Sequence, residues 1–230
     1  MAARERLLLG NVLVVALCAL VYELLCGTLA SYLLGDAVLQ FSLVLGTYLS
    51  AMGVGAWAAR ALEPRAAARY VEIELVLAVV GGLSVPALLW GVAAKIPLRL
   101  ALHGYVFVIG ALVGVELPLL VRILRDRTGA PEDGEHDAGR FGRIVARALA
   151  YDYVGALVAS VLFPLLLVPR LGLVRTAVLA GIVNALVALS ATFVVTTPRP
   201  VLLRAASGVV LAVLFVVFAR GEAWLAFATD

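Results

Sequence analysis

Seven long apolar runs constrain this chain more than any other feature. They fall at 7–34, 39–61, 70–92, 98–124, 144–168, 173–195 and 201–218. A helix crosses a bilayer with about 20 apolar residues. Each run is close to that length, rich in Leu, Ala and Val, and nearly free of charge. Barrel strands would alternate apolar and polar residues over much shorter segments, so the runs read as helices. The third run is the weakest, because Gly81, Gly82 and Pro86 interrupt it.

Composition agrees. Of 230 residues, 64% are hydrophobic and only 14% charged. A soluble globule of this size lacks the interior to hide so much apolar surface. The expected fold is therefore an all-α integral membrane protein, a polytopic bundle of about seven transmembrane helices. The sequence reads as one membrane domain over 1–230, with halves 1–124 and 144–230 joined by a cytoplasmic loop at 125–143. That loop holds Gly129, Pro131, Glu132, Asp133, Gly134, Glu135, His136 and Asp137. Its acids do not follow the spacing of a calcium loop, and it reads as a flexible linker.

Charge placement gives topology. With the N-terminus inside, thirteen arginines flank the cytoplasmic ends and five basic residues, Lys95, Arg99, Arg170, Arg175 and Arg220, flank the other. The positive-inside rule favours that orientation in a cell (inner) membrane. The net charge of +3 is too small and too dispersed for nucleic-acid binding. Trp57, Trp90 and Trp224 fit interfacial anchors. Cys18 and Cys26 lie about 12 Å apart along one helix, too far for a disulfide. His103 and His136 have no partner at zinc spacing, and nothing in the sequence implies a metal or other cofactor.

An offset of 129 residues aligns Tyr22-Glu23 with Tyr151-Asp152 and Ala30-Ser31 with Ala159-Ser160. Small residues follow each acid on one helical face: Cys26, Gly27, Ala30 and Ser31 after Glu23, and Gly155, Ala156, Ala159 and Ser160 after Asp152. Such faces let helices pack closely in lipid. The match suggests an internal repeat of two parallel halves.

Glu23, Glu116 and Asp152 lie well inside apolar runs. A charge at mid-bilayer costs on the order of 3 kcal/mol on insertion scales, so each acid must face the interior, pair, or stay protonated. Glu116 follows Gly110 and Gly114 and precedes Pro118, which is expected to bend its helix. The functional reading makes the three acids a cation or proton site, with Tyr22, Tyr151 and Asn184 in support. The structural reading pairs them with Arg122, Arg143 or Arg147, or with hydroxyl donors. Glu72 and Glu74 read as interfacial, and Asp36 as a solvated turn residue.

Three segments resemble a known family. They are VYELLCGTLASYLLGDAVLQFSLVLGTYLSAMGVGAWAA from Val21, GALVGVELPLLVRIL from Gly110, and DYVGALVASVLFPLLLVPRLGL from Asp152. Together, over about half the chain, they resemble the membrane region of the membrane-bound spermidine synthase-like proteins. The resemblance implies a transporter-like multi-span part that precedes a soluble aminopropyltransferase domain, and a polyamine context. The catalytic half of that family binds decarboxylated S-adenosylmethionine on a glycine-rich strand–loop–helix, which this sequence lacks. The expectation is therefore a chain that binds or transports polyamines or other small cations without catalysis. The alternative is a membrane anchor or scaffold for a soluble synthase partner. An intramembrane enzyme is the third reading, without a Ser/His, Cys/His or metal constellation behind it.

Overall fold

The computed structural model describes residues 2–128 and 135–220. Every described element is helical. Helix α1 (Ala2–Leu34) is followed by α2 (Ala37–Ala58), which tightens into a 3-10 turn at Ala59–Arg65. Then come α3 (Ala66–Gly82), α4 (Ser84–Ala93) and α5 (Leu98–Thr128). Helix α6 (Glu135–Leu162) passes through a π turn at Phe163–Leu167 into α7 (Val168–Val194), and α8 is Pro200–Ala219.

The breaks have local causes. Gly35 adopts φ 71° and lets the chain turn after α1. Asp36 then caps α2, its carboxylate accepting from Leu39 N at 3.1 Å, and so satisfies one free N–H of the first turn. Helices α3 and α4 meet at a 43° bend. Pro86 lacks an N–H and crowds the carbonyl four residues back, at Gly82. Pro118 does not end α5, which runs on to Thr128, but it leaves the Gly114 carbonyl without its helical partner.

By length and composition alone, five helical segments among the described residues are long and apolar enough to cross a membrane, or six if the bent α3–α4 pair is one span. The sequence reading expected seven. The difference lies at 144–168 and 173–195, which fall within one helical run, Gly142–Val194. That run is not straight. Gly172 has φ 73° and ψ 175°, a conformation essentially confined to glycine. Gly155 packs on the Leu13 carbonyl of α1, and Ser190 hydrogen-bonds Asn11 of the same helix at 3.3 Å. In a straight helix residues 155 and 190 would lie roughly 50 Å apart. The run therefore folds back at Gly172. The expected loop 125–143 is helical as far as Thr128 and from Glu135 onward; 129–134 and Trp224 lie outside the described residues.

Helix α1 is the centre of the bundle, touching α2, α5, α6 and α7. Close packing rests on small residues, as their spacing implied. Gly110 meets Tyr48, Gly114 meets the Met52 carbonyl and Gly55 meets the Ala111 carbonyl. Thr47 bonds His103, Tyr48 meets Gly110 and Met52 meets Gly114, numbers that rise together on both helices, so α2 and α5 are parallel. Gly82 and Gly181 bring α3 and α7 equally close, but antiparallel, with Gly181 against Ala78 and Gly82 against Ala177. The two stripes of the apparent repeat pack differently: Gly27 faces the Phe41 ring, whereas Gly155 faces α1 backbone. The outer faces stay apolar, with Val38, Leu49 and Trp57 on α2, Leu157 and Leu165 after Asp152, and Val209 and Phe215 on α8 all exposed.

Candidate functional site: an acid-lined cavity

Two close helix pairs, α2 with α5 and α1 with α6, leave a cavity of about 330 Å³ between them. That is near the lower end of small-molecule sites. Ala16 and Ala19 of α1, Met52 and Gly53 of α2 and Gly114 and Pro118 of α5 line it, with two acids, Glu116 and Asp152. The wall is otherwise apolar, with Val12, Val15, Val113 and Leu120 completing it.

Glu116 is 2% exposed, and its Oε1 has no hydrogen-bond partner. Asp152 is half-buried. The two interact electrostatically, and Glu116 also interacts with Glu74 of α3. Glu74 is fully buried, with both carboxylate oxygens unpartnered. The Tyr70 hydroxyl, one turn earlier, approaches it without reaching hydrogen-bond geometry. This corrects the interfacial reading of Glu74: α3 turns that side chain inward, toward α5 and α7. Glu72, two positions earlier, faces outward and pairs with Arg69 at 2.6 Å.

The expected trio is thus brought together in part. Glu116 and Asp152 share the cavity. Glu23 is half-buried and does not line it. Tyr48 lies within electrostatic reach of all three, but its hydroxyl donates to the Ala19 carbonyl at 3.0 Å. Tyr22 does not support Glu23: its ring packs on Gly81 and its buried hydroxyl has no partner. Tyr151 is 39% exposed and lies outside the lining. Asn184 is fully buried with both amide atoms unpartnered. Arg122 pairs with Asp126 at 3.2 Å rather than with a core acid.

No lysine or arginine is buried among the described residues to pair with the buried Glu116, and a buried carboxyl is costly without a hydrogen-bonding partner. Among the described residues no group of three His, Cys, Asp or Glu could hold a metal ion.

No family model matches the chain, and no solved structure is similar to it. Curated proteins are. The polyamine aminopropyltransferase of Leptospira interrogans is 44% identical over 214 residues, 92% of this chain and 41% of that protein. Polyamine aminopropyltransferase 2 of Ralstonia nicotianae is 48% identical over 184 residues, 79% of this chain and 34% of its own length. The polyamine aminopropyltransferase of Mycobacterium tuberculosis H37Rv is 40% identical over 181 residues, 77% of this chain and 33% of its own. This chain spans about two fifths or less of the curated relatives it matches most fully.

These likenesses support the spermidine synthase-like resemblance. They also correct three expectations. A non-catalytic polyamine binder or transporter, a transporter-like label, and an anchor for a separate synthase all treat the helices as something other than an enzyme. The relatives that align over most of this chain are named as enzymes.

Proposed function

We propose that this chain works as part of a polyamine aminopropyltransferase, and that its acid-lined cavity holds the amine substrate. The observation that carries this is the 44% identity over 92% of the chain to a protein of that name. The similarity runs through the helices themselves, so the helices belong to the enzyme's own sequence.

The chemistry suits the cavity. In aminopropyl transfer an amine nitrogen attacks a carbon bonded to a sulfonium sulfur. A C–N bond forms, the C–S bond breaks with its electron pair going to sulfur, and the amine loses one proton. Alkylamines are cations at neutral pH. An ammonium group enters an apolar bundle only against a carboxylate that accepts its hydrogen bonds. Glu116 and Asp152 offer that pairing at the cavity, and the glycine contacts around them hold it open.

The apolar outer faces favour a lipid surround. In this reading α1, α2, the α3–α4 pair, α5, α6, α7 and α8 cross a cell membrane seven times, with the N-terminus on the cytoplasmic side. Fold-back at Gly172 and the parallel course of α2 and α5 support counting α6, α7 and the bent pair as separate crossings.

The test is direct. The protein, purified as the cell makes it and placed in nanodiscs, is given putrescine and a sulfonium aminopropyl donor. Spermidine formation is expected. A preparation that is folded and forms none would overturn the proposal.

A further inference from the structure

Behind the cavity wall α1, α3, α5 and α7 enclose a second set of polar groups. Glu74, Tyr70, Tyr22 and Asn184 are each fully buried, and each has unpartnered polar atoms. Tyr22 and Tyr70 both interact electrostatically with Glu74 and Glu116. Asn184 reaches the same level from α7. Gly181 packs on Ala78 and Gly82, and Gly82 on Ala177 and Gly181, so α3 and α7 run antiparallel. One turn onward from Gly181 is Asn184, and one turn back from Ala78 is Glu74.

Buried polar groups are nearly always paired. Several unpaired at one level, with no lysine or arginine buried among the described residues, call for a donor-rich cation. Glu116 joins the two regions: it lines the cavity beside Asp152, its Oε1 is buried without a hydrogen-bond partner, and Glu74 lies within electrostatic reach of its carboxyl. The carboxyls therefore form a ladder, Asp152, Glu116, Glu74, leading inward.

We propose that Glu74, with Asn184, Tyr22 and Tyr70, forms an inner ammonium subsite. A linear alkylamine with two separated ammonium groups then bridges Glu116–Asp152 and Glu74. This rests on the reading of the cavity as an amine site. A primary ammonium donates three hydrogen bonds. The Glu74 oxygens and Asn184 Oδ1 accept them, while the two phenols donate back to the carboxylates. A monoamine fills the outer position only.

The experiment compares putrescine with butylamine by equilibrium binding to the protein in nanodiscs. The wild type is expected to prefer putrescine by about tenfold or more, the worth of a charge-assisted hydrogen-bonded pair. In Glu74→Gln the preference should fall to within about twofold of unity. A preference retained in that variant would overturn the inference, as would equal weakening of both amines in a variant whose circular dichroism is unchanged. If Glu74→Gln does not fold, Tyr70→Phe decides. A preference narrowed about threefold supports the subsite, and an unchanged one overturns it. If neither amine binds the wild type, or Glu116→Gln affects neither, the cavity reading itself fails. Intact binding at Glu116 with no role for Glu74 removes the inner subsite alone.

Discussion

Glu116 of α5 and Asp152 of α6, two consecutive helices, face one cavity of about 330 Å³. Groups that share one cavity are expected to couple, and coupled groups are non-additive. Glu116→Gln and Asp152→Asn should each raise the KM for putrescine in aminopropyl transfer. The double variant should cost clearly less than the product of the two single losses. Steady-state kinetics on the four forms gives the coupling directly, and strict additivity would mean the two acids act separately.

The cavity depends on glycine contacts. A Cβ at Gly114 would strike the Met52 carbonyl, and one at Gly55 the Ala111 carbonyl. Backbone cannot yield as a flexible side chain does. Gly114→Leu should therefore push α2 from α5 and destabilise the bundle by about 1–3 kcal/mol. Gly46, also on α2, has nothing within 4 Å of the same position, so Gly46→Leu should cost far less. Thermal unfolding of the two variants in one detergent separates them.

Fold-back at Gly172 makes its own prediction. With φ 73° and ψ 175°, a side chain there is strained by about 1–3 kcal/mol. Gly208 is helical, with open space where its Cβ would be, and alanine is the better helix former by about 1 kcal/mol. Gly172→Ala should lower the unfolding midpoint, while Gly208→Ala should hold or raise it. Equal midpoints would mean that the turn at Gly172 is not required.

The proposed membrane placement is tested through its charges. With the N-terminus inside, Arg65 and Lys95 lie on opposite sides. Single cysteines at those two positions, in a background with Cys18 and Cys26 replaced by alanine, should react with an impermeant maleimide from opposite faces of sealed vesicles. Labelling of both from one face would contradict the topology.

Much of the architecture was legible because periodicity and length act locally. Runs of about 20 apolar residues became long helices, and the glycines before Glu116 became the α2–α5 contact. Gly81, Gly82 and Pro86 marked the bend between α3 and α4. What was not legible depended on partners. Nothing local shows that Glu74 turns inward while Glu72 turns out to meet Arg69; only the packing of α3 on α5 and α7 decides it. Tyr22 adjoins Glu23 in sequence, but neighbours on a helix point about 100° apart, and its ring goes to Gly81 instead. The matching stripes after Glu23 and Asp152 met unlike partners, a ring of α2 and backbone of α1. The non-catalytic reading rested on the lack of a glycine-rich strand–loop–helix among these apolar runs. The proteins that align with those runs are named as enzymes, which no local feature of the helices shows.

The central claim is that the cavity acids serve aminopropyl transfer. Its most direct measurement is kcat/KM for putrescine in the wild type and in Glu116→Gln, in nanodiscs, with Gly208→Ala as a control outside the cavity. The account predicts a loss of about tenfold or more in Glu116→Gln, as expected when a charged hydrogen-bond partner is removed, and wild-type values in the control. Unchanged kcat/KM in folded Glu116→Gln would contradict it.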